Sequence, residues 1–204
     1  MNIRPHDLLW LHADTTLLDI KESWVAQQWN AQQPVVVRRD VMRQDRIPIG
    51  VRGSARHQRA AGWVREQDVL RIDTPEGLLA HASDSVFRAL PTVEAVMQLH
   101  QQRWSWSWSW GVTGSTGFAL ATGLPVLHAT SDLDLLIRAP LPLQAEEFKA
   151  WQQQLARLPC RADTQIETPV GAFALNEWLR EGRVLLKTAR GPRLTHLPWT
   201  EEIE

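Results

Sequence analysis

The spacing of apolar residues changes period several times along this chain, and each change predicts an element. Leu17, Ile20 and Trp24 recur at helical spacing, so residues 15–30 read as a helix with Asp14 as a cap. Val35-Val-Val37 and Ile47-Pro-Ile-Gly-Val51 are short strand-type runs joined by a charged turn. Gly50 and Gly53 introduce a basic segment from Arg52 to Arg59, and Trp63-Val64 follows it. Turn-like composition at Asp73-Thr-Pro-Glu-Gly77 precedes helices expected near 78–90 and 92–102. A boundary near residue 80 divides the chain into a basic N-terminal α+β domain (1–80) and a second domain (81–204).

Trp104 through Trp110 alternates strictly with Ser105, Ser107 and Ser109, which predicts a strand carrying four indoles on one face. Most of these rings are expected in a core, although an indole face can also stack on a base. Gly111-Val-Thr-Gly-Ser115 then reads as a tight turn opening a short helix. Ser131-Asp-Leu-Asp-Leu-Leu-Ile137 follows as a strand, with Leu133, Leu135 and Ile137 pointing into a core. A helix over 143–157 aligns Phe148, Trp151 and Leu155 and turns Glu146, Glu147 and Lys149 to water. Arg161 to Glu167 alternates again and places Asp163, Gln165 and Glu167 on one face. A helix from Ala172 to Glu181 ends at Gly182, Val184 to Lys187 forms a last strand, and Gly191-Pro192 turns after it. This order predicts an α+β chain, a mixed sheet with packed helices preceded by a smaller N-terminal α/β domain.

Composition narrows the setting. Cys160 is the single cysteine, so no intrachain disulfide is possible and a reducing, cytoplasmic compartment is expected. No apolar run reaches the length of a membrane span, and no membrane association is expected. The formal net charge of −1 argues against a bulk nucleic-acid binder. That charge is unevenly spread: from Arg38 to Arg71 nine arginines stand against Asp40, Asp45, Glu66 and Asp68. Arginine grips phosphates and carboxylates with a fork of donors, so this block faces a polyphosphate, an acidic partner, or simply solvent.

The candidate chemistry lies between residues 111 and 167. Asp132 and Asp134 are two apart on a strand, so their carboxylates point the same way and repel unless a cation sits between them. A hard divalent ion such as Mg²⁺ suits such an oxygen pair beside substrate phosphates. Gly114-Ser115 at a helix start offers backbone N–H groups and a hydroxyl to a phosphate. Together they read as a metal-dependent phosphoryl or nucleotidyl transfer site. Arg52, Arg56 and Arg59 are candidates for a phosphate clamp or a carrier-docking surface, and Lys187 is a further candidate phosphate ligand. His57 and His128 stand apart from any ligand cluster, and no Ser-His-Asp or thiol–base arrangement is present.

Gly114-Ser115 followed by Asp132-Leu-Asp134 resembles the signature of the DNA polymerase β-type nucleotidyltransferases. Further stretches resemble a narrower family, the holo-acyl-carrier-protein synthases of malonate decarboxylase, or phosphoribosyl-dephospho-CoA transferases. They are Arg4-Pro-His-Asp-Leu-Leu-Trp10, Pro34-Val-Val-Val-Arg-Arg39, Ile47-Pro-Ile-Gly-Val-Arg52, the block from Gly111 to Arg138, and Asp163-Thr-Gln-Ile-Glu-Thr-Pro169. The resemblance implies a nucleotidyltransferase-like sheet and the donor 2′-(5″-triphosphoribosyl)-3′-dephospho-CoA. It implies as acceptor a serine of the apo acyl carrier protein subunit of malonate decarboxylase, with pyrophosphate released. Asp132 and Asp134 would then hold Mg²⁺, and Gly114 and Ser115 the terminal phosphates. Asp163, or its rival Glu167, would be a third carboxylate that accepts the serine proton. A silent nucleotide- or carrier-binding module and an ATP-using nucleotidyltransferase remain the other classes.

Overall fold

The computed structural model describes residues 2–41, 43, 45–55, 57–102 and 105–200. The chain separates into two compact units, 1–74 and 75–204. The change-over lies at Thr74/Pro75, inside the turn-rich segment that precedes residue 80.

The first unit is built on five antiparallel strands: β1 (Leu8–Leu11), β2 (Val35–Val37), β3 (Arg46–Arg52), β4 (Arg59–Arg65) and β5 (Val69–Asp73). Their spatial order is β4-β3-β2-β1-β5. Leu9, Val35, Ile47, Ile49, Val51 and Val64 form the core on one face of this sheet. The unit is almost wholly β, not α/β. The helix expected over 15–30 shrinks to a single turn, α1 (Val25–Gln28). Leu18 instead exchanges both backbone hydrogen bonds with Trp63, at 2.8 and 2.9 Å, and Asp19 has φ +57°. Leu17, Ile20 and Trp24 still pack on the core, but they reach it from a largely extended chain that borders the sheet.

The second unit holds a six-stranded sheet in the order β11-β10-β9-β8-β7-β6. These are β6 (Ser109–Val112), β7 (Leu133–Arg138), β8 (Ala162–Glu167), β9 (Ala172–Ala174), β10 (Val184–Thr188) and β11 (Gly191–Thr195). Among the described residues four α-helices accompany it: α2 (Pro91–Gln101), α3 (Gly114–Thr122), α4 (Ala145–Leu155) and α5 (Leu175–Glu181). Among the described residues only β7 and β8 run parallel, and the crossover that a parallel pair requires is made by α4. Phe148 and Trp151 of α4 are completely buried, and the Trp151 indole N–H donates to Thr164 Oγ1 at 2.9 Å. This α+β organisation agrees with the mixed sheet read from the sequence.

Several elements differ from expectation. Residues 78–90 form a 3₁₀ turn at Gly77–His81 followed by further i→i−3 turns, and Ser85 Oγ accepts the Phe87 N–H, which competes with helical bonding at that point. Strand geometry at the Trp-Ser alternation begins only at Ser109, and Trp104 lies outside the described residues. Trp106, Trp108 and Trp110 nevertheless converge on Trp151, with ring centroids 5.1, 6.3 and 5.6 Å away. The indoles form an aromatic core. Glu147 does not simply face water: it accepts from the Gln144 N–H and the Ser107 hydroxyl, each at 3.0 Å. The segment expected as one helix from Ala172 is split into β9 and α5, and Gly191-Pro192 opens β11 instead of turning.

Candidate functional site

β7 is buried on both faces from Leu135 to Arg138, but Asp134 is exposed, as is Asp132 before the strand. Leu133 between them is fully buried. Asp134 therefore stands near the start of the strand, on the side opposite the Leu133 side chain, and the exposed Asp132 immediately precedes the strand.

The start of α3 is tied to the same place. Thr113 N–H donates to the Asp134 carbonyl at 2.9 Å, and its hydroxyl reaches the same oxygen at 3.3 Å. Gly114 has φ +62°, a left-handed conformation that favours glycine. A Cβ on Gly114 would lie 2.8 Å from Asp134 Cγ and closer still to Oδ2. The missing side chain is what lets the Asp134 carboxylate rest against the helix start, beside Ser115. Partial positive charge at a helix N-terminus favours that anion and any phosphate beside it.

Parallel register sets Asp163 of β8 directly opposite Asp134. Adjacent strands are roughly 5 Å apart, so Asp134 and Asp163 stand side by side on the parallel pair, with Asp132 two residues before Asp134. Asp163 is held from two sides: Asn176 Nδ2 donates to Oδ1 at 3.3 Å, and Arg161 lies 3.2 Å from Oδ2. Asn176 is itself fixed by Gln152 Nε2 at 2.9 Å. Glu167, by contrast, is opposite Arg138, four residues or ~13 Å further along the strand. Arg138 is buried and pairs with Glu76 at 3.0 Å, so it is anchored inside the unit and does more than end the strand.

Lys187 is exposed on β10 and lies across from Ala172, which is across from Glu167. Its row is that of Glu167, and the sheet does not bring it to Asp134 and Asp163. Arg52 and Arg59 face each other across β3 and β4 in the first unit. Arg56 lies outside the described residues.

Cys160 adds a probe of the site. Burial, and secondarily the negative charge of Asp132, push its thiol up to about 11. At neutral pH it is a protonated thiol, unsuited to nucleophilic chemistry. Thr113, Asn176 and Cys160 were not legible as site neighbours, since their roles depend on chain segments meeting through the sheet. Arg161 alone left a trace, two residues before Asp163 on the same strand face.

Among the described residues no group of three or more His, Cys, Asp or Glu side chains is close enough to form a ready-made metal cage. Two exposed carboxylates beside a helix start fit an ion such as Mg²⁺, which usually keeps waters and takes other ligands from substrate phosphates.

These features define a two-unit α+β protein with an acidic site set against a helix N-terminus, an arrangement suited to handling a phosphorylated substrate. Residues 4–75 match the phosphoribosyl-dephospho-CoA transferase MdcG N-terminal domain, and residues 77–198 the MdcG C-terminal domain. The chain belongs to the phosphoribosyl-dephospho-CoA transferase family. It is 61% identical over 201 residues to a phosphoribosyl-dephospho-CoA transferase of Klebsiella pneumoniae, covering 98% of this chain and 97% of that one. It is 42% identical over 199 residues to one of Pseudomonas putida (96% and 95%). A third, from Azotobacter vinelandii, is 42% identical over 207 residues (97% and 95%). No solved structure matches the chain. No helix among the described residues is long and apolar enough to cross a membrane.

Proposed function

We propose that this chain is a Mg²⁺-dependent transferase with nucleotidyltransferase-like chemistry. It moves the phosphoribosyl-dephospho-CoA group from 2′-(5″-triphosphoribosyl)-3′-dephospho-CoA to a serine hydroxyl of the apo acyl carrier subunit of malonate decarboxylase. The reading is carried by the close fit of Asp134 against the α3 start, in a chain whose two halves both match this family.

In this reading Gly114 and Ser115 receive the terminal phosphates of the donor at the helix N-terminus. Asp132 and Asp134 would hold the ion, which when bound supplies positive charge against the triphosphate. Asp163, one strand away from Asp134, accepts the proton of the attacking serine. The serine oxygen bonds to the α-phosphorus, the bond from that phosphorus to the bridging oxygen breaks, and pyrophosphate leaves. The chain's contribution is alignment and electrostatics, with no covalent enzyme intermediate. Asn176 and Arg161 orient Asp163; the exposed Arg161 pair is weak and yields readily when substrate arrives.

Intact mass of the apo carrier, incubated with the chain, Mg²⁺ and the donor, tests this directly. A gain equal to one phosphoribosyl-dephospho-CoA group, absent with Asp134→Asn, is expected. No gain with a competent donor and carrier would refute the assignment, and labelling from ATP instead would point to a different nucleotidyl transfer.

A further inference from the structure

The sheet of the first unit has two chemically opposite faces. Register across β3 and β4 pairs Arg46 with Arg65, Pro48 with Trp63, Gly50 with Ala61 and Arg52 with Arg59. Cross-strand partners share a face, so these eight residues lie opposite the core face of Ile47, Ile49, Val51, Ala60 and Val64. Val36 is opposite Gly50, which keeps the same face running through β2, and Arg38 carries its side chain over Gly50, where an added Cβ would meet Arg38 Cδ at 3.4 Å. On the far side Trp10 is opposite Arg71, whose guanidinium covers the indole at 4.5 Å.

One sheet face thus collects Arg38, Arg46, Arg52, Arg59, Arg65 and Arg71, and Arg43 joins it by lying over Trp63 at 4.4 Å. The acids that meet them are Asp40 at Arg38, Asp73 at Arg71, and Asp19 at Arg43 and Arg46. The stretch from Arg38 to Arg71 carries nine arginines against four acids, and seven of those arginines share this face, on a platform floored at its centre by Gly50 and Ala61. Arg46 and Arg65 are like charges directly opposite each other, a destabilising arrangement that Asp19, 4.0 Å from Arg46, offsets in part.

We propose that this face is the docking surface for an acidic protein, the carrier subunit that receives the prosthetic group. The proposal rests on the transferase reading above and adds to it the place where the acceptor is held. Charge complementarity selects the partner. A nucleic acid is the poorer fit, because the two tryptophans of the face lie under guanidinium groups and offer no open ring for base stacking.

Arg65→Glu is the informative variant, since it turns a repulsive cross-strand pair into an attractive one and so favours the fold. The full-length variant is expected to raise KM for the apo carrier about tenfold at low salt and to flatten its salt dependence. KM for the donor and kcat at saturating carrier stay within twofold, the urea midpoint does not fall, and Arg65→Lys restores most of the carrier affinity. An unmoved carrier KM overturns the proposal, as does a rise in donor KM instead. Titration of fluorescent apo carrier against wild type and Arg65→Glu separates this from the reaction itself. If wild type transfers nothing yet binds the carrier in an Arg65-dependent way, the surface stands and the reaction assignment falls. Equal binding by both proteins, or Arg65-dependent binding of a short DNA duplex in place of the carrier, defeats the surface.

Discussion

Replacing Gly114 by alanine isolates the contact on which the site depends. The added Cβ would lie 2.8 Å from Asp134 Cγ, where ordinary contact starts near 3.4 Å. The carboxylate must therefore retreat by more than half an ångström, and the φ of +62° adds left-handed strain. Strain of this kind costs about 1–2 kcal/mol for a residue with a Cβ. Gly123 provides the matched control: it ends α3 at φ +71°, and a Cβ there meets nothing within 4 Å. Both variants should lose about 1–2 kcal/mol in urea unfolding, because both carry the same backbone strain. Only Gly114→Ala should lose transfer, by about 100-fold, the order expected when an aligning group moves by about 1 Å. Intact-mass time courses of carrier modification, read beside the two denaturation curves, give the comparison. Full transfer activity in Gly114→Ala, or an equal loss in both variants, would refute the claim that the Gly114–Asp134 fit builds the site.

Asp163→Asn should reduce kcat by roughly 100-fold or more as a lost general base, whereas Glu167→Gln, ~13 Å along the strand, should leave kcat within a few-fold; steady-state kinetics of both decides which carboxylate serves. Cys160 should alkylate slowly with iodoacetamide near pH 8 and speed up only as pH approaches 11, since the raised value keeps the reactive thiolate scarce. Its neutral thiol favours the folded state, so that contribution is intact below about pH 9 and falls away between 9 and 11. Asp132→Asn should move the alkylation profile partway toward lower pH, and only partway, because burial is the larger cause; an unmoved profile would mean that Asp132 does not face the thiol. Trp151→Phe should cost about 1–3 kcal/mol in urea unfolding by leaving the buried Thr164 hydroxyl without its indole donor, and Trp151→Ala about 3–5 by opening the aromatic core.

Alternation and local chemistry determined much of this protein from the chain alone. The strands at Val35–Val37 and Leu133–Arg138 follow from short apolar runs, and that at Ala162–Glu167 from alternation that buries Thr164 and Ile166. The helix start at Gly114 follows a turn that only a glycine-rich segment makes easily, and Gly182 ends α5 at φ +62°. That two exposed aspartates, Asp132 and Asp134, bracket the buried Leu133 is likewise a local fact. Helical spacing misled at Leu17, Ile20 and Trp24, because a sheet border buries apolar residues as well as a helix stripe does, and the pairing with Trp63 is distant in sequence. The place of Asp163 beside Asp134, and of Glu167 far from it, was decided by the parallel register that α4 imposes through its crossover. No local pattern encodes that register, since a two-residue slip would keep every side chain on the same face and still move each one ~7 Å along the strand. The contact of Gly114 with Asp134, the grip of Asn176 on Asp163, and the gathering of scattered arginines onto one sheet face arise in the same way, from cross-chain packing.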